Sequence, residues 1–253
     1  MPNLRDIRNR ISSINNTQQI TKAMKMVAAA KLRKAQDRIL ETRPYANSLD
    51  SIVARLSSNA GKDLDLLRKA ETENRLLFVV IGSDKGLCGA FNNNLFKDVE
   101  ALLKSDYERF LNEGTLDIIT VGKKAQAYFK KRKYNIVKSY PGFFDKLSFE
   151  DSKEISENFI RDFVSHKYDG VFIAYNEFKT VISQNRVIEK ILPIEPEHLA
   201  DESAVQEDID YIYEPDLISI LKAILPKHLN IQMWKAVLES NASEQGARMA
   251  AMD

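Results

Sequence analysis

The chain has 253 residues, 44% of them hydrophobic, with 9 Gly and 7 Pro. That much apolar surface available for burial excludes disordered and collagen-like classes. The near-balance of 37 basic and 36 acidic residues excludes a globally basic nucleic-acid binder. The single cysteine, Cys88, excludes a disulfide framework and a Cys-based zinc site, and fits a cytosolic protein. No run of about 18 apolar residues exists, so the sequence holds no membrane-spanning helix. Residues 1–10 run straight into a helical pattern without the apolar stretch of a secretory signal.

Charge is unevenly placed. Residues 1–43 carry ten basic side chains against three acids, whereas residues 191–216 carry nine acids and no Lys or Arg. Each run is either a solvated face or, in the first case, a surface that meets an acidic partner from which the second run stands apart.

In chain order, the first element is a long helix over 1–57. Steps of three and four from Leu4 reach Ile7, Ile11, Ile14, Gln18, Thr21, Lys25, Ala28, Leu32, Ala35, Ile39, Thr42, Ala46, Leu49, Val53 and Leu56. Twelve of these sixteen positions are apolar, the signature of a coiled-coil seam. At 1.5 Å per residue the helix spans about 85 Å. Gln18, Thr21 and Lys25 interrupt the seam, which predicts a stutter there, and Pro44 predicts a kink. Met24 and Met26 read as packing residues or as an adaptable contact.

Residues 58–74 are polar and read as a linker. An α/β region follows over 75–210. Strands are predicted at 75–81, 116–121, 134–137 and 169–175, and helices at 95–105, 125–131 and 150–166. Two further segments, 178–183 and 187–193, alternate as a paired antiparallel edge. Strand–helix alternation of this kind predicts a Rossmann-like, mostly parallel sheet. Residues 211–253 then form a second long helix, with Asp216 as its cap and Pro226 as an early break. Its stripe of Leu217, Ile220, Ile224, Ile231, Trp234 and Leu238 turns polar at Asn241, Gln245 and Arg248. The two long helices therefore pair as one antiparallel coiled coil.

Motifs for chemistry are few. No G-x-x-x-x-G-K-[ST] loop is present, and the glycines of Gly82–Gly89 are not spaced as G-x-G-x-x-G. That segment reads as a tight strand-to-helix turn, a protein-contact loop or, least well, a cofactor loop. No cofactor is therefore assigned. Cys88 reads as a small structural cysteine or, with a distant partner, as a nucleophile. His166, His198 and His228 are isolated from one another, so no metal site is assigned. Tyr211, Ile212 and Tyr213 belong either to the core or to an exposed aromatic contact. Two function classes fit these observations without any resemblance: an α/β nucleotide-binding enzyme with coiled-coil arms, and a basic coiled coil that binds nucleic acid. The second lacks stacking partners, since Tyr45 is the first aromatic residue.

Four segments carry a resemblance that runs in order over the whole chain. Asn16–Lys31 (NTQQITKAMKMVAAAK) resembles the N-terminal helix of the gamma subunit family of F-type ATP synthases. Ser83–Gly89 (SDKGLCG) resembles the signature turn of that family's central domain. Tyr211–Pro215 (YIYEP) and Ala242–Met249 (ASEQGARM) resemble two of its C-terminal motifs. The resemblance implies a non-catalytic rotor shaft inside a hexamer of alpha and beta subunits, with a foot that meets the epsilon subunit and the membrane c-ring. It implies no nucleic acid and no insertion into the membrane. It places Met24, Lys25, Lys31, Cys88 and Arg248 near acidic loops of beta, and Tyr211, Tyr213 and Glu214 near the c-ring and epsilon. It also implies a bacterial inner-membrane protein, peripheral on the cytoplasmic side. One departure from the family stands out: its members continue for several helical turns past the position of Asp253, where this sequence stops.

Equal rise along both helices, starting from residue 57 opposite 215, sets Met24 beside Arg248 and Asp253 beside residue 19. Leu4, Ile7, Ile11 and Ile14 are then expected to pack on something outside residues 1–253, either a continuation of the helix or the inner wall of the hexamer.

Overall fold

The computed structural model describes residues 3–58, 64–195 and 213–253. A 55-residue helix, α1 (Leu4–Ser58), opens the chain, and a 35-residue helix, α6 (Leu217–Ala251), closes it. Between them lie β1 (Leu76–Ile81), α2 (Phe91–Ser105), α3 (Glu108–Glu113), β2 (Leu116–Val121), α4 (Lys123–Lys131), β3 (Ile136–Tyr140), α5 (Phe149–Val164), β4 (Gly170–Phe178) and β5 (Gln184–Leu192).

The sheet has the order β3-β2-β1-β4-β5. All its pairs are parallel except β4 with β5. Central strands of such a sheet are covered on both faces and so read as unbroken apolar runs. Leu76–Ile81 is buried throughout. Leu77, Val79 and Ile81 face one core, shared with Ile155, Phe159 and Phe163 of α5 and with Leu221, Leu225, Leu229 and Met233 of α6. Leu76, Phe78 and Val80 face the other, shared with Leu95, Phe96 and Leu103 of α2 and Phe129 of α4.

α6 is thus apolar on two sides, and this is where the sequence-based expectation falls short. Its first half is a layer of the sheet domain, through Leu221, Leu225, Leu229 and Met233. The stripe expected to be the seam, from Leu217 to Trp234, is only half-buried. The helices are antiparallel, but their register differs from equal rise. Lys25 pairs with Asp253, Arg43 with Glu239 and Asp50 with His228. Asp253 therefore reaches Lys25, not residue 19, a shift of six residues, because packing on the sheet, rather than a common starting level, sets the height of α6.

On α1 the predicted seam is the buried face from Ala28 onward: Ala28, Leu32, Ala35, Ile39, Ala46, Leu49, Val53 and Leu56 are all buried. Pro44 and Pro226 lie inside continuous helices. Burial of Ile39 and Ala46 on either side of Pro44 holds the helix through a defect that costs about 3 kcal/mol. Asp216 does cap α6, accepting from the Ser219 amide at 2.8 Å.

Several boundaries differ. α3 has no predicted counterpart. β3 begins two residues later than expected, after Lys133 adopts a left-handed turn (φ 61°). The segment 178–183 is not a strand. β4 runs to Phe178, and the next residues turn back through a Thr180 amide to Ser183 carbonyl bond of 2.9 Å. Leu64 and Leu66, within the expected linker, are buried in the α5–α6 core.

Candidate functional site

The turn after β1 lies at the C-terminal edge of the sheet and is held from inside. Asp84 is buried, and its carboxylate accepts three backbone amides. Lys123 and Gly142 donate to Oδ1 at 2.9 and 2.7 Å, and Phe144 donates to Oδ2 at 2.8 Å. One side chain thereby fixes the turns after β1, β2 and β3. The Ser83 amide donates to Asn92 Oδ1 at 2.9 Å, and Asn92 returns a bond to Ser83 Oγ at 2.8 Å. Gly122, at φ +91°, lets these turns approach. A Cβ there would lie 2.8 Å from the Gly82 carbonyl oxygen.

The C-terminal part of α6 docks on this turn. Arg248 donates to the Gly86 carbonyl and pairs with Glu244 one turn earlier. Ala247 packs with Cys88 and Phe91. Burial pushes the Glu244 carboxyl up against the opposing pull of Arg248, with Asp84 adding to the rise and Lys31 of α1 opposing it. Burial likewise pushes the Cys88 thiol up, helped by Glu244. At 2% exposure the Cys88 thiol is packed against Phe91 and Ala247. Lys85 and Leu87 are exposed, Leu87 at 67% and in a left-handed conformation.

Of the five residues expected near beta, Lys31, Cys88 and Arg248 thus gather around Glu244. Met24 and Lys25 lie about two turns along α1, half-buried, with Lys25 on Asp253. Tyr213 is half-buried and Glu214 exposed at the opposite end of α6, about 50 Å away along the helix. Tyr211 lies outside the described residues. Sequence reasoning passed over Asp84, Glu239 and Glu244 as working residues. Their signal was present as acids set among apolar or small neighbours in segments that fold inward.

Residues 4–20 of α1 are exposed throughout. Leu4, Ile7, Ile11 and Ile14 are 74, 43, 54 and 65% exposed. The same end carries exposed Ile20, on another side of the helix, and Arg5, Arg8, Arg10 and Lys22. An exposed apolar row rimmed by cations marks a surface that calls for a cover. Among the described residues no helix is long and apolar enough to cross a membrane.

Comparison with known proteins agrees with this geometry. A family model described as ATP synthase matches residues 3–253. The ATP synthase gamma chain of Chlorobaculum parvum is 47% identical over 254 residues, covering 100% of this chain and 86% of that protein. That of Prosthecochloris aestuarii is 46% identical with the same coverage. Among solved structures, a chain of the central stalk and c-ring of the Tetrahymena thermophila mitochondrial ATP synthase superposes with a TM-score of 0.69. It is 26% identical, and the match covers 92% of this chain and 97% of that one. A chain of the Euglena gracilis mitochondrial ATP synthase rotor, 22% identical, shares the fold with a TM-score of 0.64 over 98% of this chain and 88% of its own length. A two-helix shaft fastened to a sheet domain, matched from end to end by these proteins, belongs to the ATP synthase gamma chain family, the non-catalytic rotor subunit of the central stalk.

Proposed function

We propose that this chain turns within a hexamer of alpha and beta subunits, with its foot on a membrane c-ring and the epsilon subunit. In a bacterial cell it would sit peripherally on the cytoplasmic side of the inner membrane. The observation that carries this reading is the projecting end of α1, where Leu4, Ile7, Ile11 and Ile14 are exposed in a single row rimmed by cations. Such a row needs an apolar cover, either a continuation of the C-terminal helix or the inner wall of the hexamer, and its cations suit an acidic rim. Met24, Lys25 and Lys31 would face the acidic loops of beta directly. Cys88 and Arg248, both buried, would act by holding the turn that presents Lys85 and Leu87. Tyr213 and Glu214, together with Tyr211, would meet the c-ring and epsilon at the other end.

A rotor biases catalytic subunits only by touching their conformations differently, since a ligand with equal affinity for two states shifts neither. Exposed cations suit this task. Each exposed pair is worth about 0–1 kcal/mol, enough to bias in sum and too little to lock.

The test is to neutralise Lys22, Lys25, Lys31, Arg33 and Lys34 together in the assembled enzyme. Coupling of rotation to ATP turnover is expected to fall further than the melting temperature of the free chain. Equal losses of both would make these side chains structural. The isolated chain is also expected to bind no ATP at micromolar affinity, and stoichiometric heat release in calorimetry would revive the nucleotide-binding enzyme.

A further inference from the structure

A rotor must do more than present a surface. The helices that turn in the hexamer have to be fixed to the domain that takes up rotation at the foot. Apolar contacts between the coil and the sheet domain are non-directional, so they resist separation better than sliding. Hydrogen bonds have preferred angles and resist shear.

One side chain on α6 makes such bonds both to α1 and to the sheet domain. Glu239, on α6, is 1% exposed. Its Oε1 accepts from Arg43 of α1, at 2.9 Å from Nη2 and 3.2 Å from Nε. Its Oε2 accepts the backbone amide of Phe178, the last residue of β4, at 3.1 Å. The same level holds an apolar cluster of Leu32, Ala35, Ile39, Leu238 and Ala242, with Phe178 and Val181 packed against it. The β4–β5 turn is also seated directly on α6, where a Cβ on Gly246 would lie 3.2 Å from the Val181 carbonyl oxygen.

We propose that Glu239 is the torque-positioning residue of this rotor. It sets the rotational angle of α1 and α6 relative to the sheet domain, and Arg43 is its partner on α1. The proposal rests on the family's rotor role and adds the point at which rotation passes between shaft and foot. Other polar ties between α6 and the sheet domain are Arg248 to the Gly86 carbonyl and Ser156 Oγ of α5 to Asn230 Oδ1 at 2.5 Å.

The test uses the assembled enzyme in membranes and measures ion pumping per ATP hydrolysed, together with the torsional stiffness of the stalk from angular fluctuations of an attached bead. Glu239→Gln and Arg43→Gln are both expected to reduce stiffness and the pumping ratio while hydrolysis continues, and Arg43→Lys is expected to restore part of each. Lys104→Ala removes an exposed ion pair on α2, and with wild type it reports whether the rotor itself is working. If Glu239→Gln fails to assemble, Arg43→Gln decides, because Arg43 is half-exposed and its loss opens no cavity. Wild-type stiffness and pumping in Arg43→Gln would overturn the proposal, since α1 would then keep its angle without its bonds to Glu239.

Discussion

Asp84 shows what a single side chain decides in this protein. It serves three amides from turns 39, 58 and 60 residues away in sequence. A polar group left without a partner costs about 1–3 kcal/mol when buried. Asp84→Ala is therefore expected to lower stability by at least about 3 kcal/mol in chemical denaturation, with Asp84→Asn in between. Glu244 makes a prediction in pH. Its carboxyl is raised above the ordinary 4.5 by burial, so the folded state holds its proton at pH values where the unfolded chain has released it. Stability from this group falls as pH rises from about 4.5 through the raised value. Glu244→Gln removes that slope. Wild type is therefore expected to lose more stability than the variant between those pH values, and parallel unfolding curves would refute the shift. Both residues stood in legible motifs. Their partners did not, because a capping bond across 60 residues leaves no local pattern.

At the scale of elements, the seam of α1 was legible because a helix facing a single partner repeats its apolar positions at a fixed spacing. α6 was only half legible. It faces both α1 and the sheet, and two superimposed stripes cancel the periodicity that one would show. The same double duty moved the register by six residues. α1 predicts its own division. Leu32 is buried at 5% exposure among Ala35, Ile39 and Leu238, so Leu32→Ala is expected to cost about 2–5 kcal/mol. Ile11, 54% exposed, is expected to change the stability of the free chain by less than about 0.5 kcal/mol when truncated, yet to weaken assembly with the hexamer. Paired melting and co-sedimentation measurements separate the two. Gly122→Ala belongs with the first kind of change, since its Cβ meets backbone that cannot move aside and its φ is positive.

For the whole molecule, the sheet domain is a three-layer α/β body in which one layer is the shaft itself. α6 is core at Leu221–Met233, joint at Glu239–Arg248 and half of the coil throughout. Fastening the rotor by an element that runs through both parts leaves no flexible hinge along that element, as a torque-bearing subunit requires. The layered architecture and mostly parallel sheet followed from strand–helix alternation. The sharing of α6 did not, because no local signal marks a helix as belonging to two bodies. The central claim is that this chain rotates as a unit inside its hexamer. The most direct measurement carries a bead on the exposed Lys104→Cys position of α2, with Cys88 buried and unlabelled, in alpha–beta hexamers fixed to a surface and supplied with ATP. Sustained rotation in one direction, stopping when ATP is withdrawn, is the predicted result. ATP hydrolysis proceeding while the bead only fluctuates about one angle would contradict it.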